Sequence, residues 1–194
     1  MKTTPILLLT ALLLTSGTLF AQQVLYDNGP DPGNIYGWPV NFGYRVADSF
    51  TVAQFSTVTD VNVSLYDVNI YDYPLSLDWR ILEKPNGKVI AYGSTSDLRL
   101  LSGNVNAFLF YQWLVQFDIV PAVQLPAGTY WLEISNAHDR WATGVLWGVS
   151  NGPSLAIVSG NLGGAWKHGG HDQGGSESFQ ILGFPQSDSP GATR

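Results

Sequence analysis

Two histidines and an aspartate crowd one glycine-rich stretch of the chain: His168, His171 and Asp172. Imidazoles three residues apart beside a carboxylate are a donor set for Zn²⁺, Ni²⁺ or Cu²⁺, and Glu177 lies near enough in sequence to add a ligand. The flanking glycines read as well as a solvated loop, and the zincin spacing is absent. A second stretch, Asp27-Asn28-Gly29-Pro30-Asp31-Pro32-Gly33-Asn34, is dense in oxygen donors of the kind calcium takes. It lacks EF-hand spacing, and the same residue types are turn formers. Asp27, Asp31, His168, His171 and Asp172 are thus the candidate metal ligands. No cofactor is required by the sequence, and Ca²⁺ is the one it could use.

Acid–base chemistry has weaker support. Asp48, Asp78, Glu133 and Glu177 are candidates for a carboxylate pair, which glycoside hydrolysis needs on two sides of a sugar. No spacing puts two of them on one strand face. A nucleophilic serine in a strained G-x-S-x-G turn is absent. The catalytic set is therefore empty.

Aromatic side chains are the stronger binding signal. Of seven tryptophans, Trp79 and Trp113 fall on core-facing registers. Trp38, Trp131, Trp141, Trp147 and Trp166 fall in loops, at strand ends or on outward positions. A flat platform of two or three of them would suit a polysaccharide, with Tyr36, Tyr71 and Tyr73 as neighbours. The competing reading is that loop aromatics simply close the ends of a sandwich.

The elements that must position these groups are strands. Residues 45–52 alternate, with Val46, Asp48 and Phe50 opposite Ala47, Ser49 and Thr51. Val61, Val63 and Leu65 share one face, as do Leu77, Trp79 and Ile81, and Tyr130, Leu132 and Ile134. Lys84-Pro85-Asn86-Gly87-Lys88 is the strongest turn signal, because Asn-Gly tolerates positive φ. An alternating run over 105–119 is too long for one ordinary strand and predicts a bend near Gln112 between two sheets. No stretch after residue 21 shows a helical apolar period. The pattern predicts an all-β chain folded as an antiparallel β-sandwich, jelly-roll-like, with its first and last strands adjacent.

The first 21 residues read as a signal peptide: Lys2, an apolar run over 6–14, and Leu19-Phe20-Ala21 as a cleavage site. The run is too short to span a bilayer comfortably. A single domain over 22–184 and a disordered tail over 185–194 are expected. The chain has no cysteine, so no disulfide supports the core and no thiolate chemistry is open to it. Removing Lys2 with the leader changes the net charge from −6 to −7. No Lys/Arg cluster occurs, which argues against nucleic acid and against an anionic membrane surface as partners.

Five segments in order carry a resemblance: Tyr26-Asp27-Asn28-Gly29; Asn41-Phe42-Gly43-Tyr44-Arg45-Val46-Ala47-Asp48-Ser49-Phe50; Leu125-Pro126-Ala127-Gly128-Thr129-Tyr130-Trp131-Leu132; Asn151-Gly152-Pro153-Ser154; and Ser176-Glu177-Ser178-Phe179-Gln180-Ile181-Leu182-Gly183. Together they resemble exported bacterial β-sandwich domains of the kind found ahead of PEP-CTERM sorting tails. The resemblance implies the fold and export, and lends no catalytic residue. The sorting tail itself, a Pro-Glu-Pro motif with an apolar helix and a basic cluster, is absent after Gly183. The expectation is a secreted, non-catalytic module, extracellular, periplasmic or at the cell surface, without a transmembrane anchor. Its partner would be a polysaccharide. The alternatives are a structural envelope or matrix protein acting through protein contacts and, further off, a jelly-roll hydrolase or lyase.

Overall fold

The computed structural model describes residues 21–33, 37–69, 71–106, 109–154, 156–159, 166–168 and 175–186. Residues 1–20, where a signal peptide is expected, His171, Asp172 and the residues beyond Gln186 lie outside them. In chain order the strands are β1 (Gln23–Asp27), β2 (Gly37–Pro39), β3 (Arg45–Val52), β4 (Ser56–Asp67), β5 (Pro74–Leu82), β6 (Val89–Thr95) and β7 (Arg99–Val105). They continue as β8 (Tyr111–Leu125), β9 (Gly128–Asp139), β10 (Val145–Ser150), β11 (Ile157–Ser159), β12 (Trp166–His168), β13 (Ser176–Glu177) and β14 (Phe179–Pro185). No helix occurs among the described residues.

All pairings are antiparallel, and they form two sheets. In one, β4 is central, with β8 and then β7 on one side. On its other side β4 pairs β14 along most of its length and β10 at its end, and β1 pairs β14. The other sheet runs β12-β11-β3-β9-β5-β6. The two inner faces meet in one core. Val46, Phe50, Leu132, Ile134, Trp79 and Ile81 come from one sheet, and Val61, Val63, Leu65, Val115, Phe117 and Phe179 from the other. The alternation seen in the sequence is what lines these faces. The chain is thus an all-β sandwich whose first and last strands are neighbours.

Three expectations need correction. The run over 105–119 does not bend between sheets near Gln112. Instead β7 and β8 pair antiparallel in one sheet, with hydrogen bonds between Asn106 and Phe110 beyond the end of the pairing. The last strand reaches Pro185, and Gln186 still bonds to Phe55 and Thr57, so order extends past residue 184. Trp147 is not an outward or loop residue. It is fully buried on the inner face of β10, its indole N–H donates to the Ser178 carbonyl at 3.0 Å, and its ring meets Phe179 edge-on. A ring of that size in the core satisfies its single donor, as burial requires.

The Lys84–Lys88 turn forms as expected, with Asn86 at φ 55° and Gly87 N–H on the Lys84 carbonyl. One feature at the far end of the β5–β9 pair has no counterpart in the periodicity. Asn136 adopts φ 48° and inserts an extra residue into β9. Ile134 faces inward before the bulge, and Ala137 and Asp139 are buried after it. The bulge therefore carries Asp139 to the inside.

Candidate functional site

Three connections cross between the sheets at the same end of the sandwich. They are 40–44 from β2 to β3, 68–73 from β4 to β5, and 140–144 from β9 to β10. Asp72 binds two of them together. Its Oδ1 accepts N–H bonds from Tyr73 (2.8 Å) and Arg140 (3.0 Å), and its Oδ2 accepts that of Trp141 (2.9 Å). Asp139 caps its own crossing, accepting the N–H groups of Thr143 and Gly144 and the Thr143 hydroxyl. Val40 exchanges backbone bonds with Val145 and Ala137, which attaches the third crossing. Acids are well suited to this, since two carboxylate oxygens satisfy several orphan backbone donors at once.

Aromatic side chains project from these braced crossings. Phe42 (60% exposed), Tyr71 (76%) and Trp141 (50%) stand in solvent, and Tyr73 is partly exposed. Phe42 at φ 52° and Ala142 at φ 55° hold left-handed backbone that ordinary residues avoid, so the crossings fix these conformations against local preference. Arg140 lies over the Trp141 ring at 5.8 Å.

A polar groove starts beside them. Asn41, Phe42, Asn136, His138 and Ala142 enclose a hollow of about 260 Å³. Asn136 and His138 also line the adjoining hollow of about 340 Å³, together with Asp78, Ser94 and Thr95. The groove floor is pre-set: Asp78 accepts the Asn136 amide at 2.7 Å and the Ser94 hydroxyl on its other oxygen. Amide, hydroxyl, imidazole and carboxylate groups with the Phe42 ring at one end form a surface that can meet vicinal hydroxyls and a flat sugar face.

Beneath the same crossings sit three buried acids, Asp67, Asp72 and Asp139, each offering an oxygen within 4.8 Å of the others. Burial, and then the charges of Asp139 and Asp72, push Asp67 up to about 6. Sequence reasoning did not single out this group. Its signal was there in part, because Asp67 continues the inward row Val61, Val63, Leu65.

The residues named from sequence are dispersed. Trp131 lies in β9 and Trp141 in the crossing past its far end, so roughly 25 Å of strand separates them and they cannot share a platform. Trp38 is half-buried, paired across strands with the buried Trp147. Trp166 lies in β12 beside β11, as does His168. Asp27 is spent on the Gly29 N–H and the Gln180 amide. Asp31 accepts Tyr66 Oη at 2.6 Å, the Ser64 hydroxyl and the Gly33 N–H. Both therefore act as turn acids. Of the four carboxylates weighed for catalysis, Asp48 and Glu177 come together, with the Glu177 N–H on Asp48 at 2.6 Å. Glu133 is instead covered by Arg45 and Arg80.

No family model matches this chain, and no curated protein matches it. No helix among the described residues is long and apolar enough to cross a membrane.

Proposed function

We propose that the protein is an exported, non-catalytic binding module for extracellular polysaccharide, and that the groove through Asn136 and His138 is its binding face. One observation carries the reading. Two adjoining hollows share Asn136 and His138 and are lined by hydroxyl, amide and carboxylate groups, with Phe42 in the wall; Trp141 directly precedes the lining residue Ala142 in the chain. Sugars are held by just this pairing of planar polar groups with aromatic faces. The acids at the groove favour binding over hydrolysis. Asp78 is engaged on both oxygens, and Asp139 faces inward with both oxygens bonded. The jelly-roll description belongs to the same proposal, supported by the adjacency of β1 and β14. So does export, which rests on the leader-like first 21 residues.

The test is affinity electrophoresis in gels containing neutral and acidic polysaccharides, followed by titration with the best. Retardation by at least one polysaccharide is expected. Phe42→Ala and Trp141→Ala should each weaken binding roughly fivefold, given about 1 kcal/mol for a ring contact, without moving the unfolding midpoint. Lack of retardation by every polysaccharide would remove the reading.

A second reading has its own observation. Among the described residues β7 pairs only β8, and Leu101 (50% exposed) and Val105 (47%) stand on this edge strand. An open strand edge with apolar side chains can add a strand from another chain, which suits a matrix or envelope component. Self-association abolished by Leu101→Lys, with no polysaccharide bound, would favour it.

A further inference from the structure

We propose that Asp67, Asp72 and Asp139 form a calcium site that ties together the β4–β5 and β9–β10 crossings. All three acids are buried, and one oxygen from each lies within 4.8 Å of the other two. Two oxygens bound to one Ca²⁺ at about 2.4 Å are at most about 4.8 Å apart, a limit that all three pairs meet.

Backbone capping does not account for the whole cluster. Five of its six carboxylate oxygens accept hydrogen bonds. Asp67 Oδ1 takes the Asn69 N–H (2.9 Å) and the Thr143 hydroxyl (3.1 Å), and the four oxygens of Asp72 and Asp139 are occupied as described above. The sixth, Asp67 Oδ2, is buried with no donor among the described residues, on a residue with no exposed surface. A bare carboxylate oxygen out of water is costly, and here two further acids adjoin it. No ion pair to any of the three occurs among the described residues. The nearest cation in sequence, Arg140, is turned over the Trp141 ring. A bound cation supplies the missing partner and balances most of the charge.

The donor set selects the ion. It contains oxygen only, which suits a hard cation and not zinc, copper or nickel. Mg²⁺ holds several waters in strict octahedral geometry, for which three buried carboxylates leave little room, whereas Ca²⁺ accepts irregular oxygen shells. The site does not depend on the polysaccharide reading. It would set the rigidity of the crossings that present Tyr71, Tyr73 and Trp141.

The experiment is to strip the full chain with EDTA, dialyse it, and titrate CaCl₂ by calorimetry. Tb³⁺ emission excited through tryptophan serves as a second readout. One Ca²⁺ per chain is expected, with a thermal midpoint that rises with calcium and responds little to equal MgCl₂. Asp67→Asn should weaken binding at least about tenfold, while remaining no less stable than the stripped wild type, because it removes one of three clustered charges. Asp31→Asn should bind as the wild type does. No binding to the wild type at about 10 mM calcium, about tenfold above the weak end for such sites, would overturn the proposal and leave a shared proton as what relieves the cluster. Unchanged binding in Asp67→Asn, or loss in Asp31→Asn, would overturn it by placing the ion elsewhere. Should Asp67→Asn fail to fold, the wild-type stoichiometry and the Asp31→Asn result decide.

Discussion

Glu177 is the most exceptional single residue of the core. It is fully buried, and neither carboxylate oxygen has a donor among the described residues. Burial first, then the charges of Asp48 and Asp31, raise its pKa well above the ordinary range. Asp48, equally buried on the inner face of β3, is pushed up to about 6 by burial despite N–H bonds from Glu177 and Ser49. Groups raised in the fold bind protons more tightly than in the unfolded chain, where they titrate near 4. Their contribution is therefore fully favourable below about pH 4 and is lost as pH rises through the folded values. The urea midpoint should be higher at pH 5 than at pH 8, the reverse of a protein held by salt-bridged carboxylates. Glu177→Gln keeps the shape and removes the charge. It should be at least as stable as wild type at pH 8 and should flatten the pH dependence above pH 6. A wild-type midpoint that climbs from pH 5 to pH 8 would contradict this account.

Strands were legible wherever one face met the core and the other met water. The rows Val46–Asp48–Phe50, Val61–Val63–Leu65 and Tyr130–Leu132–Ile134 all face inward as their spacing indicates. Legibility failed where a strand is covered on both faces or changes phase. On β4 the outer row Asn62, Ser64, Tyr66 is buried too, because Asp31 folds back onto Ser64 and Tyr66. That removes the polar contrast that would have marked it. The same happens at Trp147, where Gly148 admits Asp31 so closely that a Cβ would lie 2.0 Å from its Oδ2. The bulge at Asn136 shifts the phase of β9, so Asp139 could not be placed by counting. A fourth irregularity, the register shift at Gly183, brings β14 against β4. A Cβ there would stand 2.0 Å from the Thr57 carbonyl oxygen, a backbone atom that cannot turn aside. Gly183→Ala should cost about 3 kcal/mol or more in urea unfolding. Gly128→Ala, whose nearest neighbour is the Tyr130 side chain at 3.4 Å, should cost less than about 1 kcal/mol.

At the scale of the whole molecule, the described strands alternate between the two sheets eight times along the chain, so neither sheet is a continuous piece of sequence. Each inner face is half of one core: Phe50 packs on Phe179 and Tyr130, and Phe179 on Trp147. With no cysteine to pin a partial structure, a sheet that lost its partner would expose its apolar face and both ends of every crossing at once. The stability of the candidate groove is then the stability of the sandwich, since Asn136 is set by the β5–β9 pair and Phe42 by the crossing beside it. This predicts one cooperative unfolding transition. Emission from the buried tryptophans Trp79 and Trp147 reports core packing, and far-ultraviolet circular dichroism reports the strands. In urea the two should give the same midpoint and the same slope, unchanged by added reductant. Separate midpoints would mean that the sheets, or the end bearing the crossings, come apart independently, and the groove could then open without the fold being lost.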